Sequence, residues 1–303
     1  MRVPDAKLAE VWDRGFTVVE GFLDAETLAE AQAALWEVFP RPEDFFADPG
    51  AHPTLGQSQF SGIKLFPYAS WALNRIPVYP DLVDAAERFL KTSEIDIYKI
   101  ELWAKYAGAV DYDQYHHRDY ANHTLVVPRA DGLMPQMTCF IMLSDVTELD
   151  APTKAVPVEK TGHIPLGVNR VKMGELFEDE VAVTGPAGSI LIYKTDVFHR
   201  GSNFLAPDRA RFMLLADFKA RGWRWQGKHA WPDHAGSKHW NGAMSRMTPR
   251  ERDLFGWPPV GDPYWNAQTL ADMALRYPDM DLAPYAEGAG AAEEARVLPP
   301  AGV

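Results

Sequence analysis

From Ile95 onward the apolar pattern of the chain changes to a period of two, and this constrains the fold more than any other feature. Ile95-Asp96-Ile97-Tyr98-Lys99-Ile100-Glu101-Leu102-Trp103 has the β-branched and aromatic character of a strand. Further strands are expected at Gln136 to Leu143, Val181 to Thr184, Ser189 to Tyr193 and Arg211 to Phe218, with turn residues such as Gly185-Pro186-Ala187-Gly188 between them. Several strands without intervening helices of crossover length point to an antiparallel barrel or sandwich and exclude a doubly wound parallel sheet. The expected class is mainly β with flanking helices, a jelly-roll or cupin-like core.

The first 94 residues read as the helical buttress. Asp5 is expected to cap a helix from Ala6 to Arg14 that Gly15 closes, and Phe16-Thr17-Val18-Val19 follows as a strand. Asp24 caps a second helix carrying Leu28, Ala31, Leu35 and Val38 at helical spacing, which Pro40 and Pro42 end. Residues 41 to about 78 are rich in Pro and Gly but also hold Phe45, Phe46, Phe60, Phe66, Tyr68 and Trp71, the composition of an ordered, packed loop region. Asp81 starts another amphipathic helix with Leu82, Ala86, Phe89 and Leu90 on one face. With no internal repeat and no dividing linker, residues 1–285 are expected to form one domain. It comprises a helical part (1–94), a jelly-roll core (95–220) and an aromatic-rich extension (221–285), and a tail rich in Ala, Gly, Glu and Pro (286–303) is expected to be mobile.

Charge and cysteine content narrow the partners. A net charge of -12 disfavours nucleic acid and anionic membrane, leaving a small-molecule substrate as the expected partner, with the oligomeric state open. The single cysteine, Cys139, rules out an intrachain disulfide and a thiolate-rich zinc site and fits a reducing compartment. No stretch has the length and apolarity of a signal peptide or membrane span, so the expected location is cytoplasmic.

The residues that carry chemistry begin at Tyr115-His116-His117-Arg118-Asp119-Tyr120. On an extended segment His117 and Asp119 project to one side, supplying two-thirds of the two-His, one-carboxylate set that holds non-haem Fe(II). About one His-x-Asp is expected by chance in a chain with 9 His, so the triplet needs a third ligand to mean anything. His199, at the end of the strand from Ser189, is the candidate, because a jelly roll brings early and late strands side by side. Arg209 and Arg211 downstream are expected to share one strand face, where an arginine is able to clamp a carboxylate bidentately.

In this order the motifs resemble the phytanoyl-CoA dioxygenase family of Fe(II)- and 2-oxoglutarate-dependent oxygenases. The likeness runs through Gly15 to Asp24, His117-Arg118-Asp119, Cys139 to Asp145, Ala187 to Tyr193, His199 to Asn203 and Arg211. It continues to Thr248-Pro249-Arg250-Glu251-Arg252 and Phe255-Gly256-Trp257-Pro258-Pro259, covering roughly residues 8–265. The resemblance implies a double-stranded β-helix with Fe(II) held by His117, Asp119 and His199. It implies that Arg211, or else Arg209, binds the distal carboxylate of 2-oxoglutarate, and that Ser202 makes a nearby contact. It also implies O2 as oxidant, with succinate and CO2 released as an unactivated C–H bond is hydroxylated. Halogenating relatives lack the metal carboxylate, whereas Asp119 is present here; desaturation or cyclisation would use the same cofactors. Two departures stand out: Arg200 is an additional residue between His199 and Gly201-Ser202, and Lys160-Thr161-Gly162-His163 replaces a Pro-Gly-Ser-His type segment.

The substrate wall is less specified. Lys99, Glu101, Trp103 and Lys105 share a strand face, and Tyr112, Tyr115, His116 and Tyr120 flank the metal motif, although His116 and Arg118 are expected to alternate away from iron. Gly222 to Trp231 and His239-Trp240 form either a lid or an aromatic cover. A cupin-like isomerase and a metal-free binding protein are the alternatives from other classes. The first lacks another well-placed His near His117, and the second would have lost one of the four key residues.

Overall fold

In the computed structural model, which describes residues 2–123, 136–222, 229–234 and 237–289, the strands pair into two antiparallel sheets. They are β1 (Phe16–Val19), β2 (Ile63–Leu65), β3 (Ile95–Tyr106), β4 (Gln136–Met142), β5 (Thr153–Ala155), β6 (Val181–Val183), β7 (Ile190–Lys194), β8 (His199–Gly201) and β9 (Ala210–Ala220). The larger sheet runs β1-β7-β4-β9-β3-β2 and the smaller β6-β5-β8. This is the jelly-roll class expected from the strand pattern. Two strands of the larger sheet, β1 and β2, come from the helical N-terminal part, so that part completes the sheet at both edges.

Strand register explains why β9 reads as a nearly continuous apolar run. Its odd-numbered residues Arg211, Met213, Leu215 and Asp217 pair with Lys105, Trp103, Glu101 and Lys99 of β3. Directly paired residues share a face, so these side chains lie on the face turned to the smaller sheet. The even-numbered set, including Phe212, Leu214 and Phe218, faces the helices. There Phe212 meets Trp36 edge-on at 5.3 Å and Tyr106 at 5.7 Å, and the helix Pro80–Leu90 packs behind β3, β4 and β9. Between the sheets Phe16, Met142, Val183, Leu191, Val197, Met213 and Leu215 form a buried core. Burial on both faces removes the polar alternation of a half-exposed strand. We expect Phe218→Ala, at a fully buried position, to cost about 3–5 kcal/mol, read as a lower urea midpoint at unchanged slope.

Each of the three expected helices differs from the sequence reading at one boundary. The first helix starts at Asp5 with Pro4 as the extended cap, so Asp5 lies in the first turn, where its charge favours the helix N-terminus. The second helix ends at Leu35, not near Val38: Val38 and Phe39 N–H both return to the Leu35 carbonyl, and the tightened turn carries Phe39 under Phe212. Pro80, not Asp81, takes the first position of the helix Pro80–Leu90, where its missing N–H costs nothing. The Asp24 cap is as expected, its carboxylate accepting from the Thr27 N–H at 2.8 Å. In the turn before β7, Gly188 has φ +86, donates to the Met142 carbonyl and accepts from Leu23, fixing where β7 begins.

The chain divides into two compact units, Met1–His229 and Ala230–Val303. The second has its own aromatic centre, with Trp231, Trp240 and Phe255 at 5.4–6.3 Å from one another, and a Thr248–Glu251 capping box opens the helix Pro249–Asp253. Of the predicted Trp/His-rich extension, Trp223 to Lys228 lie outside the described residues, as do residues 290–303 of the predicted tail. No helix among the described residues is long and apolar enough to cross a membrane.

Candidate active site

His117 and His199 are brought together by the backbone. The His117 N–H donates to the His199 carbonyl at 2.9 Å and the reverse bond is 3.0 Å, so the two residues face each other as neighbours in a short ladder. Gln114 extends it: its N–H reaches the Gly201 carbonyl at 3.0 Å, and its Oε1 accepts from the Gly201 N–H at 2.7 Å. A buried ion cluster locks the same segments from behind. Arg200 clamps Glu180 with two bonds of 2.6 and 2.8 Å and holds Asp113 at 2.6 Å, while His116 lies 3.0 Å from Glu180. Arg200 is therefore a brace whose side chain points away from the imidazole at position 199.

The donor set is ready for a metal. Each histidine has Nδ1 against a backbone carbonyl, His117 on Tyr115 at 3.0 Å and His199 on Val197 at 3.1 Å. As N–H donors at Nδ1, the rings carry their free lone pairs on Nε2, the arrangement a second shell imposes on metal-bound histidine. The Nε2 atoms lie 3.8 and 3.5 Å from the Asp119 carboxylate oxygens, and the three ligand atoms fall within 4.8 Å of one another. Burial pushes His199 down to about 4, with Asp119 offsetting part, so its ring is neutral near pH 7. Burial alone would raise the Asp119 carboxyl, but His199, His123 and Lys99 outweigh it and hold it well below its ordinary value. Two imidazoles and one ionised carboxylate on one side of a point suit a hard-to-borderline divalent ion such as Fe(II), with positions left open.

The three groups open into a cavity of about 280 Å³ between the two sheets. Lys99, Glu101 and Trp103 of β3, Tyr193 of β7 and Arg211, Met213 and Leu215 of β9 line it from the large sheet, and Thr153, His199 and Gly201 from the small one. Arg211 is almost fully buried, and burial pulls it down to about 10, with Tyr112 and Asp150 restoring part. Its Nη1 donates to the Ala151 carbonyl, and among the described residues no carboxylate pairs with it. A buried guanidinium facing a cavity without its own counter-ion fits a dicarboxylate ligand.

The other predicted residues separate clearly. Arg209 directly precedes β9 and forms a two-bond ion pair with Asp150, away from the cavity lining. Of the two arginines only Arg211 lines the cavity. Ser202 is buried with its hydroxyl on the Pro152 carbonyl at 2.7 Å, and its own carbonyl accepts from Lys105. Burial, then the charge of Arg211, pushes Lys105 down to about 8. Tyr112 lines the cavity; Tyr115 and His163 are exposed, and Tyr120 donates to the Leu166 carbonyl. Arg118 points away into the Pro165 and Val168 carbonyls over the Phe198 ring. Sequence reasoning missed Gln114, Phe140, Thr153 and Tyr193 as site residues. A lone tyrosine ending the apolar run Ile190-Leu191-Ile192 was the one available signal.

The sequence profile of a family described as Phytanoyl-CoA dioxygenase (PhyH) matches residues 12–212. No curated protein matches the chain. Among solved structures, AviO1 from Streptomyces viridochromogenes Tue57 is similar over 73% of this chain and 97% of its own, at 16% identity and a TM-score of 0.51. EctD from S. alaskensis in its apoform is similar over 72% of this chain and 77% of its own, at 18% identity and a TM-score of 0.51. SnoN, a non-heme alpha ketoglutarate dependent epimerase from nogalamycin biosynthesis, covers 71% of this chain and 81% of its own at 17% identity and a TM-score of 0.47.

Proposed function

Because the chain belongs to the phytanoyl-CoA dioxygenase family and is a non-haem iron and 2-oxoglutarate-dependent enzyme, we propose that it hydroxylates a C–H bond of a small polar substrate. In this reading His117, Asp119 and His199 hold the iron and Arg211 takes the distal carboxylate of 2-oxoglutarate. The observation that carries it is one cavity lined by all three metal donors and by a buried arginine. When bound, the iron supplies the oxidation: O2 and 2-oxoglutarate give succinate and CO2, and the remaining oxygen atom enters the substrate C–H bond.

The residues of the chain do the rest. Arg211 fixes one end of the cosubstrate, and the backbone ladder between His117 and His199 keeps the ligand faces aligned. The wall along β3 then falls to the substrate. Leu215, opposite Glu101, is four residues along β9 from Arg211, about 13 Å at strand rise. Lys99 there pairs with Asp217 at 3.0 Å; burial lowers its pKa, but Asp217 and Glu101 more than restore it, keeping the ammonium charged. Trp103 donates to the Glu101 carboxylate at 3.0 Å and meets Phe60 edge-on. A wall of fixed charges under aromatic rings favours a small hydrogen-bonding substrate over a long alkyl chain, which would bury those charges unmatched.

A panel of small polar molecules screened for succinate release, followed by mass spectrometry under 18O2, tests this reading. Hydroxylation puts one 18O into the product; a product two hydrogens lighter without label would mean desaturation or cyclisation instead. For the substrate found, Glu101→Gln is expected to raise KM about tenfold or more, the loss of a charge-assisted hydrogen bond, and to leave the KM for 2-oxoglutarate unchanged.

A further inference from the structure

The hydroxyl of Tyr193 donates to Oδ2 of Asp119 at 2.6 Å, and the ring, 2% exposed, stands 4.9 Å from that of His199. The bond is built into the sheet. Tyr193 pairs in register with Phe16 of β1 on one side and Thr138 of β4 on the other, and Thr138 pairs with Asp217, which pairs with Lys99. A single row thus crosses five strands on the inner face, and its tyrosine reaches the carboxylate. Asp119 itself lies outside any strand, between the His117 bridge and the short helix Tyr120–His123, so the ladder that fixes the two histidines does not fix it.

We propose that Tyr193 is the positioning residue for the metal carboxylate. Its hydroxyl occupies one oxygen of Asp119, so that the group meets a metal through the other and the remaining coordination positions stay open for cosubstrate and O2. This rests on the reading of His117, Asp119 and His199 as ligands, but it concerns the orientation of Asp119, which metal binding reports without turnover. Loss of an outer-shell partner of this kind typically weakens metal binding about 10–100-fold.

The test uses the full-length apoprotein and Co(II) alone, with affinity and visible ligand-field spectrum read for wild type, Tyr193→Phe and a variant carrying 4-aminophenylalanine at position 193. We expect Tyr193→Phe to bind Co(II) about 10–100-fold more weakly with an altered spectrum, and the amino variant, which keeps a donor on the same ring, to recover most of both. Wild-type affinity and spectrum in Tyr193→Phe would overturn the proposal, as would equal loss in both variants, which would mean that ring packing and not the donor matters. Should Tyr193→Phe not fold, the amino variant decides alone. A weaker donor shifts the spectrum from that of wild type, and an unchanged spectrum counts against the proposal. A wild-type protein that binds Co(II) with the Tyr193 dependence but never turns over would sink the oxygenase reading and leave this one standing.

Discussion

His199→Ala is expected to abolish turnover and to weaken Fe(II) binding by more than the roughly 100-fold that marks the upper end for losing an outer-shell partner. The site has one carboxylate and two imidazoles, and the substitution removes a ligand outright. The fold should survive, because His199 is tied to His117 through backbone N–H and carbonyl groups that alanine retains. Nor does Arg200 depend on the imidazole: its guanidinium is spent on Glu180 and Asp113. The measurement is an anaerobic Fe(II) titration of the folded variant. Retained wild-type affinity would remove His199 from the ligand set.

The second large effect concerns Arg211. Truncating one partner of a buried, hydrogen-bonded charge pair costs about 2–5 kcal/mol, which for Arg211→Ala corresponds to at least roughly 30-fold weaker binding of 2-oxoglutarate. Arg211→Lys keeps the charge but loses the planar fork, so it should recover only part. Iron affinity should not change, since Arg211 is not among the donors. The apoprotein should be no less stable in Arg211→Ala, because the wild type buries a cation that forms no ion pair among the described residues and that Asp150 offsets only in part. Isothermal titration with 2-oxoglutarate in the presence of Fe(II) measures the first effect and thermal melting the last. Arg209→Ala is the internal comparison: its ion pair with Asp150 lies away from the cavity lining, so cosubstrate affinity should hold.

The strands were legible because β3 carries β-branched and aromatic residues over a long run, because β9 has a long apolar run with Phe212 and Phe218, and because turn residues isolate β6 and β7. Helix ends were less so. Val38 continues the apolar spacing of its helix, yet the chain tightens after Leu35 because packing of Phe39 on Phe212 outweighs the local pattern. The metal triad was readable as His-x-Asp on an extended segment plus a late His, and what the sequence did not show is that His117 bridges directly to His199 and Arg170. Which of Arg209 and Arg211 serves the cavity was not legible, because the partner that takes Arg209, Asp150, lies 59 residues away in sequence. Gln114 was invisible and Tyr193 only faintly marked, because their roles come from hydrogen bonds across 87 and 74 residues of sequence.

The central claim is that one cavity binds iron and 2-oxoglutarate together, and a visible spectrum of the anaerobic protein tests it most directly. With Fe(II) alone no band is expected. Adding 2-oxoglutarate should bring up a weak charge-transfer band that saturates at one cosubstrate per chain, is absent in His199→Ala and needs much more 2-oxoglutarate in Arg211→Ala. A wild-type protein that binds zinc tightly and shows no such band with Fe(II) and 2-oxoglutarate would contradict the account.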